Sequence, residues 1–126
     1  MNEKQIALFE SLDSQLKGLY DEMQTLAKKN PNDAVNRFKL GLINNLIKRT
    51  NAFLKEDQKP FGDFGEFNEA ELPSNSDVLI ILSQYLSCLE KIRADNITLD
   101  LGEWYWLING KQSNVRTAPP KKLGKS

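Results

Sequence analysis

The residue types that perform most enzyme chemistry are scarce in this chain. Its 126 residues include no histidine and a single cysteine, Cys88. Histidine is the commonest general base near neutral pH and the commonest metal ligand, so its absence removes the usual nucleophile–base pairs. Cys88 falls within a predicted helix and has no histidine to activate it, so we interpret it as a structural thiol. One cysteine also excludes an internal disulfide framework.

Two other patterns have the spacing of chemical sites, and each has a simpler explanation. Ser14 and Lys17 are spaced like a serine–lysine nucleophile, but that spacing is common on helices and the companion motifs are missing. An acidic stretch could offer oxygen ligands to a hard cation, but it lacks the calcium-loop pattern. Its acids are Asp63, Glu66, Glu69 and Glu71. We therefore expect no enzymatic activity, no cofactor and no metal site.

Residues 59–67 combine chain-breaking residues with regularly spaced aromatic ones. Phe61, Phe64 and Phe67 recur at every third position among two glycines and a proline. Glycine and proline argue against a regular helix, and three phenylalanines argue against a solvated linker, so an ordered loop is predicted. The neighbouring acids would steer a basic partner. We expect at least one ring, Phe64 above all, to be exposed as an anchor for a partner protein.

Charge is balanced overall but unevenly distributed. Lysine plus arginine and aspartate plus glutamate each number 17, so the formal net charge is zero. Residues 56–77 hold seven acids against Lys59 alone, whereas residues 111–126 hold five basic residues and no acid. Segregation into blocks often marks a contact surface or a tail, although a solvated surface is the simpler alternative.

The basic residues support an alternative function in nucleic-acid binding. The predicted second helix carries basic side chains with asparagines between them, and lysine, arginine and asparagine are the residues that contact phosphates and base edges. The candidates are Arg37, Lys48 and Arg49 on that helix, with Arg116, Lys121 and Lys122 near the end of the sequence. The zero net charge and the lack of a helix-turn-helix pattern argue against this function.

Apolar spacing and capping residues predict three helices. The first covers residues 3–29, where apolar residues at three- and four-residue steps form one stripe. The second is predicted to start at Asn30 as N-cap with Pro31 as its first residue, and to end near Leu54. The third follows Pro73, with Ser74 as N-cap.

The stretch "ITLDLGEWYWLINGKQSNV", residues 97–115, predicts a small antiparallel sheet. Turns at Gly102-Glu103 (type II′) and Asn109-Gly110 (type I′) give strands at 97–101, 104–108 and 111–115. Leu99, Leu101, Trp104 and Trp106 then share one apolar face together with Ile97 and Ile108. On this interpretation the tryptophans cover the core, while Tyr105 and Leu107 lie on the outer face. A short helix beginning at Asp100 is the alternative.

The predicted fold is α+β and mainly α: a three-helix domain with a small C-terminal β-meander, with an all-α fold as the alternative. Residues 1–116 form one domain, and residues 117–126 form a flexible basic tail. No signal peptide or membrane-length apolar run is recognised, which predicts a cytoplasmic protein. We expect a small interaction or regulatory module that binds another protein, with a homodimer and a nucleic-acid complex as alternatives. The contact residues would be Phe61, Phe64, Phe67, Tyr105 and Leu107.

Overall fold

The computed structural model describes residues 1–121 and has an α+β fold that is mainly α. Three helices precede a three-stranded antiparallel sheet in the order β1-β2-β3. The helices are α1 (Glu3–Lys29), α2 (Arg37–Phe53) and α3 (Asn75–Asp95), and a short 3-10 helix, Glu56–Gln58, follows α2. The strands are β1 (Ile97–Asp100), β2 (Glu103–Ile108) and β3 (Lys111–Arg116). Among the described residues, no helix is long and apolar enough to cross a membrane.

Helix α1 has the predicted limits because both ends carry suitable caps. Asn2 accepts a hydrogen bond from the backbone N–H of Gln5, whose side chain accepts one from the N–H of Asn2. This reciprocal capping box satisfies two N–H groups that the first helical turn leaves without partners. At the other end, Lys28 and Lys29 complement the helix dipole and Asn30 terminates the helix. The predicted apolar stripe faces the core.

The predicted start of α2 at Pro31 is wrong, because residues 31–36 are held in a non-helical path by the start of α3. The N–H of Val35 donates to the carbonyl of Pro73 (2.9 Å), and Ala34 and Ser74 form an isolated antiparallel bridge. Val35 is buried, as its apolar character requires. The helix begins instead after Asn36, which accepts from the N–H of Lys39.

Residues 54–74 return along α2 and so place α2 and α3 parallel to each other. Asn51 near the end of α2 contacts Phe64, Asn44 near its middle contacts Phe67, and Val35 contacts Pro73. Helix α3, capped by Ser74 as predicted, runs antiparallel to α1. Asn75 donates to the carbonyl of Asn30 at one end of this pair, and Arg93 reaches Asp13 towards the other.

The meander is confirmed, but its first turn lies one residue earlier than predicted. Leu101 (φ 50°) and Gly102 (φ 82°) form the turn, and both positive φ values identify type I′ rather than type II′. Leu99 therefore pairs with Trp104 and Ile97 with Trp106. The expected place of Leu101 on the apolar face is wrong, since it is 96% exposed. Moving the turn by one residue moves the cross-strand partner of each residue by two positions. Because side chains alternate between the two faces of a sheet, each residue that stays in a strand keeps its predicted face.

The core lies between the three helices and extends under the sheet. Trp106 is fully buried, and its ring meets that of Phe9 edge-on at 5.1 Å between centroids. Trp104 and Ile108, on the same face of β2, are partly buried against the same cluster. The tryptophans therefore cover the core, as the sequence predicts. The second turn, Asn109-Gly110, is type I′ as expected (φ 52° and 77°).

Candidate functional site

Two asparagines of α2 hold residues 59–67, which we call the phenylalanine loop, in place. The buried side chain of Asn44 donates to the carbonyl of Phe67 (2.9 Å) and accepts from its N–H (2.8 Å). Asn51 donates to the carbonyl of Phe64 (3.3 Å) and accepts from the hydroxyl of Tyr85 (2.9 Å). The loop is therefore ordered, as predicted, because α2 satisfies its backbone groups.

The three phenylalanine rings pack on one another rather than standing free. Phe64 meets Phe61 at 6.1 Å and Phe67 at 5.2 Å between ring centroids, both in tilted edge-to-face arrangements. All three are partly buried, and Phe64 and Phe67 pack against the core. The expectation that at least one of the three rings, Phe64 above all, is exposed is wrong. Paired aromatic rings gain stability beyond the area they bury, which explains why the loop turns them inwards.

Phe67 also lines a surface groove at the beginning of α3, and we call it the Ile80 groove. Its volume is about 510 Å³. The lining residues are Phe67, Glu71, Leu72, Pro73, Ser74, Asp77, Ile80 and Ile81. Ile80 is 58% exposed and is one of several large apolar side chains that the described residues expose, and it stands out because it lies in a groove with other apolar side chains. Two exposed acids stand among the lining residues, which include no basic residue.

Some of the acids of residues 56–77 form ion pairs, and the two acids of the Ile80 groove are exposed. Glu56 forms an ion pair with Lys59 (2.6 Å), and Glu66 forms one with Lys48 (2.9 Å). Glu71 and Asp77, the two acids of the Ile80 groove, are exposed side chains. The backbone N–H of Asp77 donates to the Ser74 hydroxyl, which fixes this first turn of α3. The groove therefore combines an apolar floor with negative charge at its edge.

The chain matches no family model, no curated protein and no solved structure.

A second groove, between α1 and α2, has a different character. Its volume is about 440 Å³, and Leu19, Leu42 and Leu46 supply its apolar surface. Arg49 is the single charged residue among those that line it, and it is engaged by a hydrogen bond to Gln15 (2.9 Å). This groove is apolar but carries no charge pattern that would select one class of partner.

Tyr105 and Leu107, the other predicted contact residues, lie elsewhere in the molecule. Both belong to β2 and are partly buried. Trp106 between them packs on Phe9, near the beginning of α1, whereas the phenylalanine loop lies along α2. The structure therefore brings Phe61, Phe64 and Phe67 together but places the sheet residues at a separate location.

The predicted nucleic-acid residues are distributed over the molecule and partly engaged. Lys48 pairs with Glu66, and this ion pair raises the pKa of the lysine. Arg116 on β3 contacts Glu103 (3.6 Å), and Arg37 lies at the start of α2. The other members of the predicted set are Arg49, which contacts Gln15; Lys121, the last described residue; and Lys122, which lies outside the described residues. Asn44 and Asn51 are two of the asparagines between the basic residues of α2 that could contact bases, but in the structure they bind the backbone of the phenylalanine loop.

A buried charge cluster around Arg93 was not predicted from the sequence. Arg93 is 2% exposed, and its guanidinium donates to Asp13 (3.0 Å), Glu90 (3.3 Å) and Glu10 (3.3 Å). The guanidinium also lies over the rings of Phe9 (5.2 Å) and Trp106 (5.5 Å). Both aromatic contacts are cation–π interactions, which strengthen when the cation is removed from water. Arg93 thus joins α1, α3 and the sheet.

Other groups complete the Arg93 cluster. Lys17 forms an ion pair with Asp13 (2.9 Å). Burial lowers the pKa of Lys17, but the hydrogen bond to Asp13 and the negative charges nearby raise it by more, so the net shift of this pKa is upward. Arg93 also donates to the Thr117 hydroxyl. Three buried atoms, Asp13 Oδ1, Glu90 Oε2 and Trp106 Nε1, have no hydrogen-bond partner among the described residues. Asp13 lies four residues after Phe9 and three before Leu16, which places it on the apolar stripe of α1. This position was the feature of the sequence that could have indicated a buried carboxylate.

Cys88 and the acidic side chains were the remaining candidates for chemistry in the sequence. Cys88 is partly buried, and this burial raises the pKa of its thiol, which disfavours the reactive thiolate. Within residues 1–121, no group of three or more histidine, cysteine, aspartate or glutamate side chains is arranged to hold a metal ion.

Proposed function

We propose that this protein is a non-catalytic interaction module that binds a basic segment of another protein in the Ile80 groove. One observation carries the proposal: the exposed apolar side chain of Ile80 lies in a groove whose charged lining residues are all acidic. The lack of histidine and of any nucleophile constellation in the sequence supports a non-catalytic role.

The groove suits a partner that combines apolar and basic side chains. Burying Ile80 and its apolar neighbours contributes about 25 cal/mol for each Å² of apolar surface removed from water. Glu71 and Asp77 attract positive charge during encounter and disfavour acidic partners. A basic peptide with one or two large apolar residues meets both requirements.

The walls of the groove are already fixed before a partner arrives. Asn44 holds the backbone of Phe67, and Val35 and Ala34 bind the backbone of Pro73 and Ser74. Ser74 caps the first turn of α3. Because the walls need no reordering on binding, little conformational entropy opposes the contact.

The test is binding of a fluorescent synthetic peptide that alternates leucine and lysine, measured by fluorescence anisotropy. Ile80→Asp removes the apolar centre of the groove, so we expect affinity to fall by roughly thirtyfold, the loss typical of an interface hot spot. Leu101→Asp makes the same change at another exposed site, in the turn between β1 and β2, and should leave affinity unchanged. Glu71→Gln with Asp77→Asn should weaken binding and reduce its dependence on salt.

Two results would contradict the proposal. One is equal binding by the wild type and Ile80→Asp. The other is an equal loss in Ile80→Asp and Leu101→Asp, because the groove would then have no special role. Circular dichroism of each variant establishes that the fold is retained.

A further inference from the structure

The chain itself contains a segment with the chemistry that the Ile80 groove favours. Residues 117–126, the basic tail, hold three lysines (Lys121, Lys122 and Lys125) and no acid. Leu123 is the one large apolar residue among them. Pro119-Pro120 precedes these residues, and consecutive prolines favour an extended polyproline conformation that loses little entropy on docking.

The tail leaves its own domain far from the groove. The N–H of Thr117 donates to the carbonyl of Trp104 (3.0 Å), and the Thr117 hydroxyl accepts from Arg93. Arg93 follows Ile80 by thirteen residues on α3. Helix geometry converts this separation to about 20 Å along the axis and about 140° around it. The tail therefore starts on the side of α3 away from the groove.

Leu123 lies too few residues beyond Thr117 to reach the groove of the same chain. An extended chain advances by at most about 3.5 Å per residue, so the backbone of Leu123, six residues beyond Thr117, extends about 21 Å from it. This only equals the axial separation, so no length remains to pass around the helix. A second copy has no such constraint.

We propose that the basic tail of one copy docks in the Ile80 groove of a second copy. The inference rests on the proposed function, since it names an occupant for the same groove. The tail offers one large apolar residue, Leu123, to match the apolar surface of Ile80 and Leu72, and three lysines to match the charges of Glu71 and Asp77. Two copies that exchange tails make the contact twice, and the second contact forms at the high effective concentration that the first provides.

Sedimentation velocity over a range of protein concentrations tests this exchange. We expect the full chain to associate, and a variant that ends at Thr117 to remain monomeric. Ending there keeps the contact between Thr117 and Arg93. A full chain that stays monomeric at millimolar concentration overturns the inference, as does equal association by the shortened variant.

Reversing the charges of the groove in one variant and of the tail in another gives a second test. Variants that failed to fold would not recover association when mixed, so a folding defect cannot produce the expected result. Glu71→Lys with Asp77→Lys makes one variant, and Lys121→Glu with Lys122→Glu makes the other. Each alone should lose association, since like charges then meet in every contact. An equimolar mixture should recover association, because the altered groove of one variant fits the altered tail of the other. Failure of the mixture to associate overturns the inference.

Binding of a peptide comprising residues 117–126 to the shortened variant separates this inference from the proposed function. Loss of tail-peptide binding in Ile80→Asp supports the inference. If the leucine–lysine peptide binds through Ile80 and the tail peptide does not, the inference fails and the proposed function stands. If neither binds, both fail. Salt-dependent binding of the tail peptide to single-stranded DNA, with none to the groove, also overturns the inference and favours a nucleic-acid role.

Discussion

The Arg93 cluster and the Ile80 groove both combine acidic side chains with apolar ones, yet the two are built in opposite ways. In the cluster, the guanidinium of Arg93 is buried, three carboxylates surround it, and two aromatic rings cover it. In the groove, Glu71 and Asp77 are exposed and an isoleucine lies open beside them. Helix α3 contributes to both regions, with Asp77 and Ile80 near its beginning and Glu90 and Arg93 near its end.

This difference separates charge that fixes the fold from charge that is free to meet a partner. A buried charge is costly unless other groups compensate it, so the members of the Arg93 cluster depend on one another within the chain. Exposed acids cost little, and they add almost nothing to stability. Substitutions in the cluster should therefore change stability, whereas substitutions in the groove should change binding.

The largest effect is expected at Arg93. Arg93→Ala leaves Glu90 buried without its cation, takes one of its two cations from Asp13, and removes the contacts with both aromatic rings. We expect the free energy of unfolding to fall by about 3–5 kcal/mol, the usual cost of removing one partner from a buried ion pair. Urea denaturation monitored by tryptophan fluorescence measures this directly.

Arg49→Ala is the matched control for Arg93→Ala. Arg49 is exposed and donates one hydrogen bond, to Gln15. Its removal should alter stability by no more than about 0.5 kcal/mol. Equal urea midpoints for the two variants would show that the cluster does not stabilise the fold, and the contrast drawn between the two regions would be lost.

A smaller effect is expected at Asn44, whose side chain connects the fold to the groove wall. Asn44→Ala leaves the partly buried N–H and carbonyl of Phe67 without their partner, so we expect the free energy of unfolding to fall by about 1–3 kcal/mol. Hydrogen exchange of the Phe67 amide should accelerate as well, since this N–H donates to Asn44. Asn45→Ala, an identical substitution at the next and exposed position, should do neither. Equal exchange rates in the two variants would contradict this role.

The sequence predicted those elements whose signals are local. The apolar stripe and caps give the limits of α1, and Asn109-Gly110 gives the second turn of the sheet. The first turn was misplaced because Leu101-Gly102 and Gly102-Glu103 both contain a glycine and both keep the tryptophans on one face. Local signals determined the face but not the turn.

Features that depend on distant residues were not predictable in the same way. The start of α2 follows from a bridge between Ala34 and Ser74, which lie 40 positions apart in the chain. Arg93 reaches Asp13 across 80 positions. The Ile80 groove was not predicted: the phenylalanine spacing indicated the loop, but the exposure of Ile80 depends on how the loop and α3 meet.

Binding in the Ile80 groove can be located by a nuclear magnetic resonance titration of the ¹⁵N-labelled variant that ends at Thr117. The leucine–lysine peptide is added, and the backbone amide shifts are followed. We expect the largest changes to cluster at Leu72, Asp77, Ile80 and Ile81 and to be absent in Ile80→Asp, while the amides around Arg93 hardly move. Changes concentrated on the sheet around Tyr105 and Leu107, or in the groove between α1 and α2, would contradict it.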